Sequence, residues 1–219
     1  MNQERAKAKM QQPDTKQRLL DAAEKLFAQH GYHCTSLRKV TAEAEVNLAA
    51  VSYHFGSKEA LVEAIFERRL QPLNEERFSR LEKVRGAAAA EGRRPTVEET
   101  LRAFVEPTLH FRDSAPGARY FMHLIGRALT EPDPAVRSIF FRMVGPLFAR
   151  LFEILCEAQP NLDCNQIFWR LNFAIGAISR CTFLPEKLPE VPTGVESELS
   201  ADRQIDMLIG FLVAGMEAP

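Results

Sequence analysis

The chain has 219 residues, of which 46% are hydrophobic and 26% are charged, and its formal net charge is −1. This composition predicts a folded protein with a real core, and it excludes a disordered chain and one whose overall charge attracts nucleic acid. No apolar run reaches the roughly 18 residues that a membrane-spanning helix needs, and the four cysteines form no CxxC pair. We therefore expect a reduced, cytoplasmic protein that does not bind membranes.

The first quarter of the chain predicts an arm and three helices. Residues 1–13 are polar and basic and predict a mobile N-terminal arm. Apolar residues then recur with helical spacing from Leu19 to Phe27, and Gly31 ends this first helix. Two short helices follow, joined by a tight turn at residues 45–47. Their apolar sides are formed by Leu37, Val40 and Ala44 in the first and by Leu48, Val51 and Phe55 in the second.

The rest of the chain also shows helical periodicity, and no strand pattern competes, so the predicted fold class is all-α. Ser57 caps a long helix that we expect Pro72 to interrupt, and residues 86–95 are predicted to form a loop. Five later helices are predicted, at Thr96 to about His110, about Ala118 to Leu129, Asp133 to Pro160, Asp163 to about Phe183 and about Ala201 to Met216. Kinks are expected at Pro107 in the first of these and at Gly145-Pro146 in the third. A loop at 184–200 is predicted before the last helix.

Two short helices joined by a tight turn form a helix-turn-helix, whose second helix enters the major groove of DNA. The apolar sides of these helices can pack against Leu26 and Phe27 of the first helix. This arrangement predicts a DNA-reading element between Leu37 and Phe55. The side chains predicted to lie outward or near the groove are those of Asn47, Ala50, Ser52, Tyr53 and His54.

The run from Lys16 to Leu61 resembles the N-terminal domain of TetR-family regulators. The matching landmarks are a first helix that ends in HG, a Thr-Ser-Leu-Arg entry and the pattern V-x₄-V-x-Y-H-F-x-S-K, whereas Glu45 departs from the glycine that the family usually has in the turn. The resemblance implies a TetR-like fold, with a helix-turn-helix domain at 14–60 and a ligand-binding and dimerisation domain at 61–219. It also implies that Ser36 caps the first short helix near a phosphate and that Asn47 caps the reading helix. Arg38 is implied to reach a guanine edge and Ala50 to touch a thymine methyl. Contacts with phosphates or bases are implied for Ser52, Tyr53 and His54, and a phosphate contact for Lys58.

The last two helices carry apolar residues on more than one face. A helix that is apolar all round must bury both sides, so one side requires a partner beyond its own domain. A two-fold homodimer provides that partner most simply, and the family resemblance implies the same interface. The residues of this second face are Phe173, Ala177 and Cys181 in one helix and Met207, Phe211 and Ala214 in the other.

The region between Phe104 and Phe173 is rich in phenylalanine, which suits an ordinary core or a pocket for a long apolar ligand. The segments VNLAAV-x-YHFGSKEAL, IFWRLNFAIGA and FLVAGM resemble a fatty-acid-responsive branch of the family, which implies a fatty acid or its coenzyme A thioester as effector. The predicted ligand-binding residues are Phe104, His110, Arg119, Phe121, Met122, Phe148, Phe152, Trp169 and Phe173, with His123 and Arg170 as further candidate anchors for a polar head group.

An enzyme and a protein-binding helical adaptor are the rival classes. The chain has no GxSxG, P-loop, GxGxxG or HExxH motif, so we expect neither catalysis nor a cofactor. His30, His33 and Cys34 are close in sequence but lack a fourth ligand nearby, so we expect no metal. The favoured hypothesis is a DNA-binding regulator, a repressor by family default, which an apolar effector releases from its operator.

Overall fold

A computed structural model describes residues 14–114, 116–130, 134–182, 193–194, 196 and 199–218. Within these residues all regular structure is helical, which confirms the predicted all-α class. The predicted arm at 1–13, the helix cap at Asp133 and most of the predicted loop at 184–200 lie outside the described residues. The helices are α1 (Thr15–His30), α2 (Leu37–Glu43), α3 (Leu48–His54), α4 (Lys58–Ala90), α5 (Val97–Ser114), α6 (Pro116–Thr130), α7 (Pro134–Ala158), α8 (Cys164–Thr182) and α9 (Ala201–Met216).

Several helices begin at side chains that satisfy the first free backbone N–H groups. The side-chain oxygens of Ser36, Asn47 and Ser57 each accept a hydrogen bond from a backbone N–H two or three residues further on, at 3.0–3.3 Å. Thr96 and Glu99 form a reciprocal capping box at the start of α5, with bonds of 2.9 and 3.1 Å. These caps confirm the predicted starts of the four helices.

The long helix α4 extends further than its sequence suggested. Pro72 does not interrupt it, and residues 86–90, predicted to be a loop, form its last turn. Leu70 and Leu73 are buried on either side of the proline, and alanine, which fills 87–90, has the highest helix propensity. Packing and propensity thus outweigh the local cost of one proline and one glycine. With 33 residues the helix is about 50 Å long.

Prolines also lie inside the continuous helices α5 and α7, at Pro107 and Pro146. Pro146 has no N–H, so the carbonyl of Arg142, four residues earlier, loses its helical donor. The side-chain amide of Asn74 on α4 donates to the next carbonyl, that of Met143, at 3.0 Å. The buried Asn74 therefore ties α4 to α7 beside the proline.

The buried hydrophobic residues form two clusters. The first joins the helix-turn-helix and the start of α4 to residues of α6 and early α7, among them Phe121, Met122 and Val136. The second holds the later part of α4 together with α5, the end of α7, α8 and α9. The three N-terminal helices therefore share their core with helices beyond residue 60, and the predicted domain boundary at that residue stays a prediction.

The turn between α2 and α3 contains a left-handed residue. Glu45 has a φ of 53°, and it is the one non-glycine residue with positive φ in the described part of the chain. The left-handed region costs a residue with a Cβ about 1–2 kcal/mol. This is the position where the sequence departs from the family's glycine, and the backbone keeps the glycine-type conformation.

Glu45→Gly is expected to stabilise the protein by about 0.5–1 kcal/mol, because relief of this strain exceeds the added entropy of the unfolded chain. Thermal unfolding at fixed protein concentration measures the effect as a rise of roughly 1–4 °C. Glu45→Ala is the matched control, since it removes the same carboxylate but keeps the Cβ. Equal stability of the glycine and alanine variants would show that the turn is not strained.

Candidate DNA interface and ligand cavity

The reading helix α3 is fixed to the rest of the N-terminal unit by its apolar side. Val51 of α3 and Val40 of α2 are fully buried, and they belong to the same core cluster as Leu26 and Phe27 of α1. Phe55 packs against this cluster from the end of α3. The predicted packing of the three helices is confirmed, and it holds the opposite side of α3 toward solvent.

The solvent-facing side of α3 differs in part from the predicted one. Ser52 and Tyr53 are exposed as predicted, and Tyr53 is the more open, with 84% of its surface accessible. Ala50 is half-buried and packs on the core, whereas Ala49 is exposed. Leu48, predicted on the apolar side, is exposed. Ala50 is therefore less open than predicted, Ala49 is the exposed small residue, and the thymine contact of Ala50 stays a prediction.

Arg38 and the two capping residues Ser36 and Asn47 are also exposed. Arg38 is exposed on α2, and its guanidinium has no hydrogen-bond or ion-pair partner among the described residues. Ser36 and Asn47 are exposed and cap α2 and α3. His54 is half-buried, with its ring centroid 5.0 Å from that of Tyr53. The structure thus leaves most of the predicted contact residues open to solvent, and their contacts with DNA stay predictions.

Lys58 is held by protein groups. Its ammonium donates to the carbonyl oxygen of Tyr32 and lies 4.0 Å from the centroid of the Tyr32 ring. The Tyr32 hydroxyl donates to Glu59 at 2.7 Å, which lowers the pKa of that carboxyl. Lys58 and Glu59 therefore fasten the first turn of α4 to the loop after α1. The predicted phosphate contact of Lys58 stays untested.

A cavity of about 380 Å³ lies among helices α4 to α8. Three of the predicted ligand-binding residues, Phe104, Met122 and Phe148, line it. Most of the other lining side chains are apolar, which suits a ligand with an apolar body. They include Leu73, Ile125, Phe140, Phe141, Phe168 and Ile178.

The other aromatic residues predicted for the pocket lie elsewhere. Phe121 is fully buried in the first core cluster, edge-to-face with Phe66 at 5.6 Å. Phe152 packs on the second cluster, and Trp169 and Phe173 point outward with 60% and 71% of their surfaces exposed. Helical spacing identifies apolar residues but cannot tell core, cavity and outer surface apart, so the placement of these four residues in the lining of the cavity was wrong.

The polar anchors predicted for a ligand head group also lie outside the cavity lining. His110 is exposed and lies 3.0 Å from a carboxylate oxygen of Asp202, and Arg119 lies 3.8 Å from Asp113. His123 is half-buried and does not line the cavity. Arg170 donates to carbonyl oxygens at the end of the chain. His110, Arg119 and Arg170 are thus engaged with other protein groups outside the cavity.

Arg77 on α4 also lines the cavity, although the sequence pattern did not predict it there. Only 7% of its surface is exposed, and burial lowers its pKa to about 10. Its guanidinium donates to Asn74 Oδ1 at 3.1 Å and to Thr108 Oγ1, and it lies 4.9 Å from the Phe104 ring. The available signal was its position between Leu73 and Leu81, within the buried stripe of α4.

A buried ion-pair cluster connects the N-terminal unit to α4 and α6. Glu24 of α1 is 1% exposed and accepts hydrogen bonds from Arg68 and Arg69 of α4, the latter at 3.0 and 3.1 Å. Gly117 of α6 lies so close that an added Cβ would be 2.7 Å from an Arg69 nitrogen. Three helices therefore meet at one carboxylate.

No helix in the described ranges has the length and apolarity needed to cross a bilayer. Within the same ranges, no three His, Cys, Asp or Glu side chains come together in a way that could hold a metal ion. The exposed reading helix, anchored by two others and joined through α4 to a helical body with a cavity, defines a helix-turn-helix regulator.

Comparisons with known proteins identify the family. Residues 19–65 match the bacterial regulatory proteins of the tetR family, and residues 102–215 match the tetracyclin repressor-like C-terminal domain. The chain therefore belongs to the TetR family of DNA-binding transcription regulators.

Individual relatives agree with this assignment. The regulator UidR of Escherichia coli is 35% identical over 51 residues, which cover 23% of this chain and 26% of UidR. The chain thus matches only about a quarter of that relative's length. FadR from Bacillus subtilis, solved with stearoyl-CoA, has a TM-score of 0.66 at 15% identity and covers 91% of this chain and 98% of its own. AibR, solved with isovaleryl coenzyme A and operator DNA, has a TM-score of 0.64 at 18% identity with the same coverages.

Proposed function

We propose that the protein is a transcriptional repressor that a small apolar effector, bound in the cavity, releases from its operator. The observation that carries this proposal is the course of α4. The helix starts directly after the reading helix, and it supplies Leu73 and Arg77 to the cavity lining. One continuous helix therefore runs from the end of the reading element to the cavity. The protein would act in the cytoplasm, where bacterial operator DNA lies.

A second connection runs through α6. Met122 and Ile125 of α6 line the cavity, while the same helix packs against α1 of the helix-turn-helix. A ligand that fits one arrangement of α4 and α6 better than another shifts the population toward that arrangement. The reading helices then move relative to the operator, and the affinity for DNA falls.

An acyl effector, either a fatty acid or its coenzyme A thioester, is the effector class that we propose. The apolar lining of the cavity supports it. Two proteins of the same fold, FadR of Bacillus subtilis and AibR, were solved with stearoyl-CoA and isovaleryl coenzyme A respectively. Those ligands belong to those proteins, and they support the class rather than a particular acid.

We further propose a homodimer through α8 and α9. Phe173 and Trp169 of α8, with Met207 and Phe211 of α9, are large apolar side chains that are more than half exposed in the single chain. Large apolar side chains exposed on two helices that pack together support an interaction site there. In a two-fold dimer the two reading helices would contact half-sites about 34–36 Å apart, or a multiple of that spacing.

Arg38→Ala is expected to weaken binding to the preferred operator by about 1–3 kcal/mol and to relax specificity at one base pair, because a bidentate guanidinium–guanine contact is lost. Fluorescence anisotropy of a labelled duplex from upstream of the protein's own gene measures this, and binding should weaken as salt rises. The same titration, repeated with a long-chain acyl thioester or its free acid, tests whether an acyl compound weakens DNA binding.

Arg94→Ala is the matched control, because it removes the same charge from an exposed position between α4 and α5, outside the reading element and outside the proposed dimer face. If both variants lost the same affinity for the operator, the effect of Arg38→Ala would come from the change in net charge alone. Unchanged binding of the Arg38 variant to every duplex would contradict base reading. A helical adaptor that binds only protein would show no preference for any duplex, which a selection from random duplexes would detect.

A further inference from the structure

We propose that the cavity binds a free carboxylic acid with an apolar body, and that Arg77 holds its carboxylate. The proposal rests on the proposed function in taking this cavity as the effector site, and it deepens that function by naming the ionic form of the ligand. The observation behind it is a buried cation in the lining of an apolar cavity, with no carboxylate within ion-pair distance among the residues that the structure describes.

The charge of Arg77 is not compensated within the described part of the chain. No described carboxylate lies within ion-pair distance of it, and the nearby Glu76 is engaged with Arg80 at 2.8 Å. Removing a guanidinium from water is costly unless it is paired. The Arg77 Nε–H is buried and has no hydrogen-bond partner among the described residues. A ligand oxygen that accepts from this group would compensate both the charge and the unmade hydrogen bond.

The neighbours of Arg77 hold it in place rather than neutralise it. Asn74 accepts from one terminal nitrogen while its own amide is fixed on the carbonyl of Met143 at 3.0 Å. Thr108 accepts from the other terminal nitrogen, and the Phe104 ring packs against the guanidinium. Because both acceptors are neutral, the arrangement orients the planar donor group and preserves its positive charge. Planar donors with a fixed direction are suited to carboxylates.

The composition and size of the cavity restrict the rest of the ligand. Arg77 is the one cationic side chain among its described lining residues, so a singly charged head group matches it better than a phosphate dianion. The volume of about 380 Å³ is near the lower end of the range of roughly 300–1,000 Å³ for ligand pockets. This volume suits a medium-length acid. A coenzyme A thioester presents a neutral carbonyl at the acyl end and would have to leave its nucleotide outside.

Isothermal titration calorimetry of the full-length protein with decanoate, decan-1-ol and decanoyl-CoA tests the proposal. Wild-type protein is expected to bind decanoate about 10- to 100-fold more tightly than decan-1-ol, since a charge-assisted hydrogen bond is replaced by a neutral one. In Arg77→Met this ratio should fall to about one. Arg80→Met is the matched control, because Arg80 lies on the same helix, pairs with Glu76 and Glu106, and does not line the cavity.

The comparison of acid with alcohol on wild-type protein needs no variant, so it stands even if Arg77→Met fails to fold. Equal affinities, absence of saturable decanoate binding, or tighter binding of decanoyl-CoA than of decanoate would each overturn the inference. Specific operator binding by a protein that ignores decanoate would leave the proposed regulator intact. If the protein bound decanoate but preferred no DNA duplex, the assignment of the cavity would be supported and the proposed regulatory function would be contradicted.

Discussion

Replacing Phe173 and Phe211 together by glutamate is expected to make the protein monomeric and to weaken operator binding by at least about 100-fold. Both rings lie on the outer face of α8 and α9, with 71% and 67% of their surfaces exposed in the single chain. Burial of one such side chain contributes about 1.5–3 kcal/mol, and a two-fold axis would use each ring twice. Analytical ultracentrifugation gives the mass, and anisotropy with a two-half-site duplex gives the affinity.

The double leucine variant at the same positions is the matched control, because it keeps an apolar surface of reduced size without adding charge. The leucine variant should remain dimeric, with a lower affinity between the subunits. If the glutamate double variant sediments as a dimer, the subunits do not associate through this face. Retention of tight operator binding by a true monomer would contradict the need for two reading helices.

Glu24→Gln is expected to destabilise the protein by about 2–4 kcal/mol. Breaking a buried ion pair typically costs about 3–5 kcal/mol, and we reduce that figure because Arg68 and Arg69 are partly exposed and can regain water. Thermal unfolding at fixed protein concentration should show a midpoint lower by roughly 4–16 °C.

Asp21→Asn is the control for this prediction. Asp21 pairs with the same Arg68 at 2.6 Å, but its side chain is largely exposed. A surface pair of this kind contributes about 0–1 kcal/mol. If the two variants lost equal stability, the buried position of Glu24 would have no special role. Because Glu24 joins α1 to α4, the variant also reports whether this contact takes part in the response to a ligand.

The sequence predicted the helices and their ends where local chemistry decides them. The final helix was predicted at about Ala201 to Met216 and has those bounds, and the caps at Asn47, Ser57 and Thr96 form as expected. Helical periodicity and capping act over a few residues, so a single sequence reveals them. The helix-turn-helix was found for the same reason, because its three helices follow one another directly in the chain.

The parts that failed depend on contacts between distant segments. Pro72 looks like a breaker in isolation, but buried leucines on both sides keep α4 continuous. Trp169 and Phe173 were assigned to the pocket because they are aromatic, and only the packing of α8 on its neighbours shows that they face outward. Arg77 was missed for the opposite reason: a charged residue is expected at the surface, and its burial depends on α5 and α7.

The shared core of the N-terminal unit affects how such a protein can be recombined. Val40 and Val51 are in one hydrophobic cluster with Phe121, Met122 and Val136. A chimera that exchanged only residues 14–60 with another regulator would place foreign side chains against α6 and the start of α4, leaving voids or clashes there. Exchange of operator preference between such proteins is therefore better attempted by grafting the exposed face of α3 than by transplanting the whole unit.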